Sequence, residues 1–133
     1  MKKILVTFGI VIAIALAGFL WIFMCATENM CGNEIFKEVS SPDFEFKAVI
    51  FHRDCGDTTG FTTQVSVIPI TETLPNEGGN VLIIDGHPSD TQLEISWLSN
   101  SELKISKNIN GTEYKAEKNI GLSRKITVSY GKS

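Results

Sequence analysis

The sequence predicts a mainly β protein, a small antiparallel sheet of about seven strands folded as a sandwich or partial barrel, after one N-terminal transmembrane helix. Three observations carry this expectation. Residues Ile4 to Ala26, "ILVTFGIVIAIALAGFLWIFMCA", run without a charge behind Met1-Lys2-Lys3. The rest of the chain breaks into short apolar segments about ten residues apart, divided by Asn, Gly, Pro and Ser. No later segment keeps a helical period long enough for the crossover that a parallel sheet needs.

A helix rising about 1.5 Å per residue over Ile4 to Ala26 is long enough to cross a hydrocarbon core of roughly 30 Å. A cleaved signal peptide is the rival reading, because Ala15-Leu16-Ala17 offers a small-residue exit. Cutting there leaves "GFLWIFM" as an apolar terminus. Cys25 follows Phe23 and Met24, which is not the small-residue context of a lipidated cysteine. The expected organisation is a transmembrane anchor over 1–26, a juxtamembrane segment over 27–43 and an extracytoplasmic β domain over 44–133. Lys2 and Lys3 keep the short end in the cytoplasm, so the chain reads as single-pass in the cytoplasmic membrane. Trp21 and Phe23 suit the outer interface.

Of the 12 Lys and Arg, Lys2 and Lys3 precede the span, which leaves ten against all 15 acids and a formal charge of −5 beyond it. That balance speaks against nucleic acid and against an anionic lipid surface as partners of the domain. The two cysteines past the membrane, Cys31 and Cys55, are expected to form a disulfide in an oxidising compartment, closing a loop of about 24 residues.

Taken in order, "TENMCGNEIFKEVSSPD" is polar, with a short helix expected over Asn33 to Val39, where Ile35, Phe36 and Val39 share a face. Ser40 to Asp43 end it. "FEFKAVIF" alternates and then turns continuously apolar, as a strand buried on both faces does. "TTQVSVIPI" is a second strand, closed by Pro69 and by the Pro75 to Gly79 turn. "NVLIID" is a third. "QLEISWL" sets Leu93, Ile95 and Trp97 on one face, and Ser99-Asn100-Ser101 turns it into "ELKIS" with Leu103 and Ile105 inward. Asn108 to Gly111 turns into "TEYKAE", and "RKITVSY" closes the chain with Ile126, Val128 and Tyr130 facing together. Phe44, Phe46, Phe51, Phe61, Trp97 and Tyr130 are expected in the core.

Ser41-Pro42-Asp43, the Arg53-Asp54-Cys55-Gly56 segment, Thr58 to Phe61, Gln64 to Ser66, Gly79 to Val81 and Asp85-Gly86 together resemble a group of small, uncharacterised bacterial envelope proteins anchored by an N-terminal apolar segment. The resemblance covers most of the chain after that segment and implies an envelope location but no activity. Two positions depart from its pattern: Asp57 stands where a small residue is usual, and Phe44 where a turn glycine is.

The densest group of reactive side chains is "FHRDCGDTTG". Three readings compete for it. As a thiol site it offers Cys55 as nucleophile with His52 as base, although His52, three residues back along a strand, points to the opposite face. As a metal site, His52, Asp54 and Asp57 join Asp85, His87 and Asp90 of "DGHPSD" if the two loops meet, a nitrogen and carboxylate set suited to zinc. As a turn, Asp54 and Asp57 accept backbone hydrogen bonds and Gly56 and Gly60 relax the chain. The residues His52, Arg53, Asp54, Asp57, Asp85 and His87 form the expected binding loop, with no catalytic residue, metal or cofactor assigned. The function expected is a membrane-anchored extracytoplasmic binding module for another envelope or secreted protein, in one form an inhibitor or immunity-type protein. The alternative is a thiol- or metal-dependent envelope enzyme centred on His52, Cys55 and His87.

Overall fold

The computed structural model describes residues 1–28, 31–56 and 60–132, with the backbone alone described at 26–28. The chain divides into a unit over Met1–Cys31 and a unit over Gly32–Ser133. The first is one helix, α1 (Lys2–Glu28), and its stretch Lys2–Cys25 is long and apolar enough to cross a membrane. The side chains of that stretch are exposed. The Thr7 hydroxyl inside it lies 2.8 Å from the Lys3 carbonyl and 3.0 Å from that of Ile4, so the helix backbone satisfies it.

The second unit is mainly β, as expected, with its strands in two sheets. The first sheet has the order β1 (Gly32–Ser40), β2 (Phe46–Asp54), β3 (Thr62–Pro69), β4 (Leu82–Asp85) and β7 (Lys115–Ala116), all antiparallel. The second has the order β5 (Ile95–Ser99), β6 (Glu102–Ile105), β9 (Lys125–Tyr130) and β8 (Asn119–Gly121), in which β6 and β9 run parallel. A short helix, α2 (Pro88–Thr91), follows β4.

The helix expected over Asn33 to Val39 is instead strand β1, paired with β2 from Gly32↔Asp54 to Ser40↔Lys47. A bulge between Ile35 and Lys37 adds one residue to β1, which breaks the two-residue alternation and gives Ile35, Phe36 and Val39 their helix-like spacing. β1 thus lies within the stretch read as juxtamembrane. "TEYKAE" is likewise not one strand but a polar run that contributes only β7 before β8 begins.

The core between the sheets is built from alternate residues. β2 gives Phe46, Ala48 and Ile50, β3 gives Val65 and Val67, and β4 gives Leu82 and Ile84, meeting Ile95, Leu103, Ile105, Ile126 and Val128 from the second sheet. The opposite face of β2 and β3 is also buried, with Val49, Phe51 and Ile68 packed against Leu74. That outer face carries Gln64 and Ser66, and the loop after β3 satisfies both. The Gly79 N–H donates to Gln64 Oε1 at 2.7 Å and the Asn80 N–H to Ser66 Oγ at 3.1 Å. The Asn80 carboxamide pairs with both the N–H and the carbonyl of Val67, standing in for a strand neighbour.

The aromatic expectation holds for Phe46 and Phe51 and fails for two others. Phe44 is 70 % exposed and Phe61 is 61 % exposed. Phe44 sits in the turn between β1 and β2 with φ of 55°, the left-handed conformation for which glycine is the usual residue. The turn is held by side chains: Ser41 Oγ donates to Asp43 Oδ1 at 2.7 Å and accepts from the Phe46 N–H at 3.1 Å. The Ser41 hydrogen bond, with Arg124 nearby, holds the Asp43 carboxyl below its ordinary range.

Arg124, between β8 and β9, ties this turn to the second sheet. It reaches Asp43 Oδ2 at 2.8 Å, Glu45 Oε2 at 3.0 Å and the Asn100 carbonyl at 2.6 Å, with its guanidinium 4.7 Å from the centre of the Phe46 ring. Trp97 Nε1 donates to the Val39 carbonyl at 2.9 Å, joining β5 of the second sheet to β1 of the first.

Two outcomes test this packing. A Cβ at Gly79 would stand 2.8 Å from the Val65 carbonyl oxygen and 2.9 Å from that of Leu82, both backbone atoms with little room to yield. Gly79→Ala should therefore cost about 1–3 kcal/mol in denaturant unfolding, while Gly121→Ala, with nothing within 4 Å, should not. Equal midpoints for the two variants would refute the close approach.

Tyr130 donates to the Glu117 carbonyl at 2.6 Å, and burial, with Glu117 and Glu113 nearby, pushes its phenol up to about 12. The folded phenol keeps its proton where the unfolded one loses it, so this contribution is complete below about pH 10 and is lost as pH rises towards about 12. Thermal unfolding followed over that window should fall more steeply for the wild type than for Tyr130→Phe; parallel curves would contradict it.

Candidate functional site

The two His-bearing loops of the sequence do meet. His52 is near the end of β2, on its inward face, in line with Phe46, Ala48 and Ile50. It is only 7 % exposed, and no other ionisable side chain is buried to that degree among the described residues. β3 separates β2 from β4, so His87 does not arrive from a neighbouring strand. It arrives because β4 ends at Asp85 and Gly86 turns the chain with φ of 103°. The Gly86 N–H donates to the Phe61 carbonyl at 2.9 Å, and Thr63 Oγ1 donates to the Gly86 carbonyl at 2.8 Å, which folds the 86–91 segment back over the start of β3.

The result is a triangle of rings. His52 and His87 have centroids 5.4 Å apart, His52 and Phe61 5.2 Å, and Phe61 meets His87 edge-on at 5.4 Å. The hydrogen bonds assign the imidazole protons. His52 Nδ1 is 3.0 Å from the Thr62 carbonyl oxygen, which can only accept, so Nδ1 is the donor of this bond. His87 caps α2: its Nδ1 accepts from the Ser89 N–H at 3.2 Å and lies 2.7 Å from Ser89 Oγ.

The other expected site residues divide. Asp54, the last residue of β2, is exposed and accepts from the Gly56 N–H at 2.9 Å, where Gly56 has φ of 114°; this is the turn role. Arg53 leaves the site altogether. It points to the opposite face of the sheet and donates to Asn33 Oδ1 at 2.8 Å and Asn76 Oδ1 at 3.0 Å. Asn33 in turn donates to the carbonyls of Pro75 and Glu77, so Arg53 fastens the covering loop to β1. Asp85 is exposed and paired in register with Thr62, and Asp90 is exposed on α2. Asp57 lies outside the described residues. Among the described residues, no group of three or more His, Cys, Asp or Glu side chains is placed to hold a metal ion.

Cys31 and Cys55 form a disulfide, while Cys25 on α1 is a free, exposed thiol. The bond closes the loop containing β1 and β2 at the end of β2 where His52 lies. With its sulfur in that bond, Cys55 offers no thiolate for nucleophilic attack.

Sequence reasoning did not find two members of this neighbourhood. Phe61 was assigned to the core on its hydrophobicity, and only the position of the 86–91 segment makes it part of an exposed rim. Glu34 was read as helical, but it pairs directly with His52 across β1 and β2 and therefore shares its face. Recognising β1 as a strand was the missing signal.

Fold and site together define a disulfide-stapled β sandwich bearing an imidazole and phenyl rim at one end of its first sheet. No family model matches the chain, and no curated protein or solved structure matches it.

The staple has a measurable role. Replacing Cys31 and Cys55 together by Ser should lower the unfolding free energy by about 3 kcal/mol, the chain-entropy value for a loop of about 24 residues. Denaturant unfolding with and without the pair checks this; coincident curves would show that the bond does not constrain the unfolded chain.

Proposed function

We propose that the chain is a single-pass membrane protein of a bacterial envelope, with its N-terminus in the cytoplasm and its β domain outside, and that the domain works by binding another envelope or secreted protein. Membership of the small envelope-protein group that the Ser-Pro-Asp and Arg-Asp-Cys-Gly segments resemble belongs to the same proposal. The observation that carries the binding reading is the rim. A phenyl ring that is 61 % exposed stands on a sheet end stapled by a disulfide, beside one buried and one partly exposed imidazole. Exposed aromatics on rigid supports are suited to being anchors at protein interfaces, because they bury large area with little loss of side-chain freedom.

The uncharged stretch Ile4 to Ala26 behind Lys2 and Lys3 supports the anchor, and the disulfide supports an oxidising compartment for the domain. An inhibitor or immunity-type role is one concrete form of the proposal and follows from small size and envelope location. The thiol-enzyme alternative is disfavoured by the Cys31–Cys55 bond.

Site-specific photocrosslinking from native membranes tests the rim. A crosslinker at Phe61 should give a discrete heavier adduct, whereas one at Ser96, exposed on the second sheet, should not. Identical patterns from the two positions, or none from Phe61, would refute it.

A further inference from the structure

We propose that β1 is a self-association edge: the β1 strands of two copies of this chain pair antiparallel about a twofold axis and join their first sheets into one. This inference stands apart from partner binding at the rim and uses neither Phe61 nor His87.

β1 is the outermost strand of the first sheet, bonded to β2 on one side and to no strand on the other among the described residues. It is nine residues long, whereas the other edge strands, β5, β7 and β8, have five, two and three. Every β1 residue except Asn33 and Val39 is exposed, and Ile35 and Phe36 stand side by side at its centre, 48 % and 55 % exposed. A long open edge with apolar side chains is a template for another strand, because the N–H and carbonyl groups on its free side have no ladder partner. One end is already taken. The Val39 carbonyl accepts from Trp97 Nε1 at 2.9 Å, so the open run is Gly32 to Glu38.

The charges along the edge select the occupant. Charged side chains and bulges ordinarily keep edges apart, but on β1 the two together are self-complementary. Glu34 and Lys37 are three residues apart, a spacing that puts side chains on opposite faces of a regular strand. The bulge between Ile35 and Lys37 adds one residue, so Glu34 lies opposite His52 and Lys37 opposite Ile50, both on the face turned to the second sheet. Two such strands can run antiparallel with Glu34 of each opposite Lys37 of the other, and every face then matches. The Glu34–Lys37 pair occurs on both sides of the axis, Asn33 meets Glu38 on the outer face, and Ile35 meets Phe36 next to the axis. A slip of one residue sets Glu34 against Glu38, which belong to different faces, and a further slip sets Glu34 against Val39 and Ile35 against Glu38. Of these registers only the first opposes unlike charges. Glu34 and Lys37 make no ion pair among the described residues, whereas Glu38 is already held by Lys47 at 3.3 Å. The association closes at two copies, because the twofold uses up the one long open edge of each.

The test is sedimentation of the full-length protein over a concentration series at fixed detergent, with charge reversal on β1. The wild type should pass from monomer to dimer and no further. Glu34→Lys and Lys37→Glu should each raise the dimer dissociation constant by about tenfold or more, since each sets like charges directly opposite at two symmetry-related places. The double variant Glu34→Lys/Lys37→Glu should restore the wild-type constant, and Phe61→Ala should leave it unchanged. Amide hydrogen exchange over Asn33 to Glu38 should slow as the dimer fills. Both reversals are at exposed positions, and thermal unfolding of the dilute variants checks that they fold. A monomer at every concentration, growth beyond the dimer, a dimer indifferent to both single reversals, or a double variant that stays as weak as the singles would each overturn the edge.

Discussion

Burial of the first sheet on both faces is the constraint on which the rest of this domain depends. From Phe46 to His52, all of β2 except Lys47 is buried, and β3 is buried from Thr63 to Ile68. A strand in that position can expose neither its side chains nor its backbone groups, so each face needs a cover and each edge a partner. The second sheet covers one face. The other is covered by a loop, which has no ladder of its own to offer and so bonds through Gly79, Asn80 and the Arg53–Asn33–Asn76 group.

The same constraint explains where the rim arises. The inward row of β2 passes from Phe46 through Ala48 and Ile50 to His52, whose ring lies against those of Phe61 and His87. Phe61 comes from the residue before β3 and His87 from the segment that Gly86 turns back.

How much of this was legible in the sequence depends on how local its cause is. The apolar span, the alternating segments around Leu93, Ile95 and Trp97, and the turn residues between strands were read correctly, because side-chain period and turn chemistry act over a few residues. β1 was misread because its bulge at Phe36 mimics a helical spacing. Phe44 and Phe61 were placed in the core on residue type alone, although their exposure is decided by where the chain turns. The two His-bearing loops do meet, but β3 lies between their strands and a returning segment brings His87 to His52, which no local pattern in the sequence records. Arg53, grouped with them by sequence adjacency, points to the other face, since neighbouring residues of a strand alternate.

By itself the sequence determined a long apolar helix, a mainly β domain after it and a cysteine pair able to staple that domain, since each follows from composition and short-range pattern. Tertiary structure alone decided the parallel β6–β9 pair, the Arg124 tie between turn and sheet, the placing of Glu34 opposite His52 and the meeting of His52, Phe61 and His87. These depend on which strands pair and in what register. That choice is made by burying two faces of one sheet at once, a condition that joins residues tens of positions apart and leaves no periodic trace in the chain.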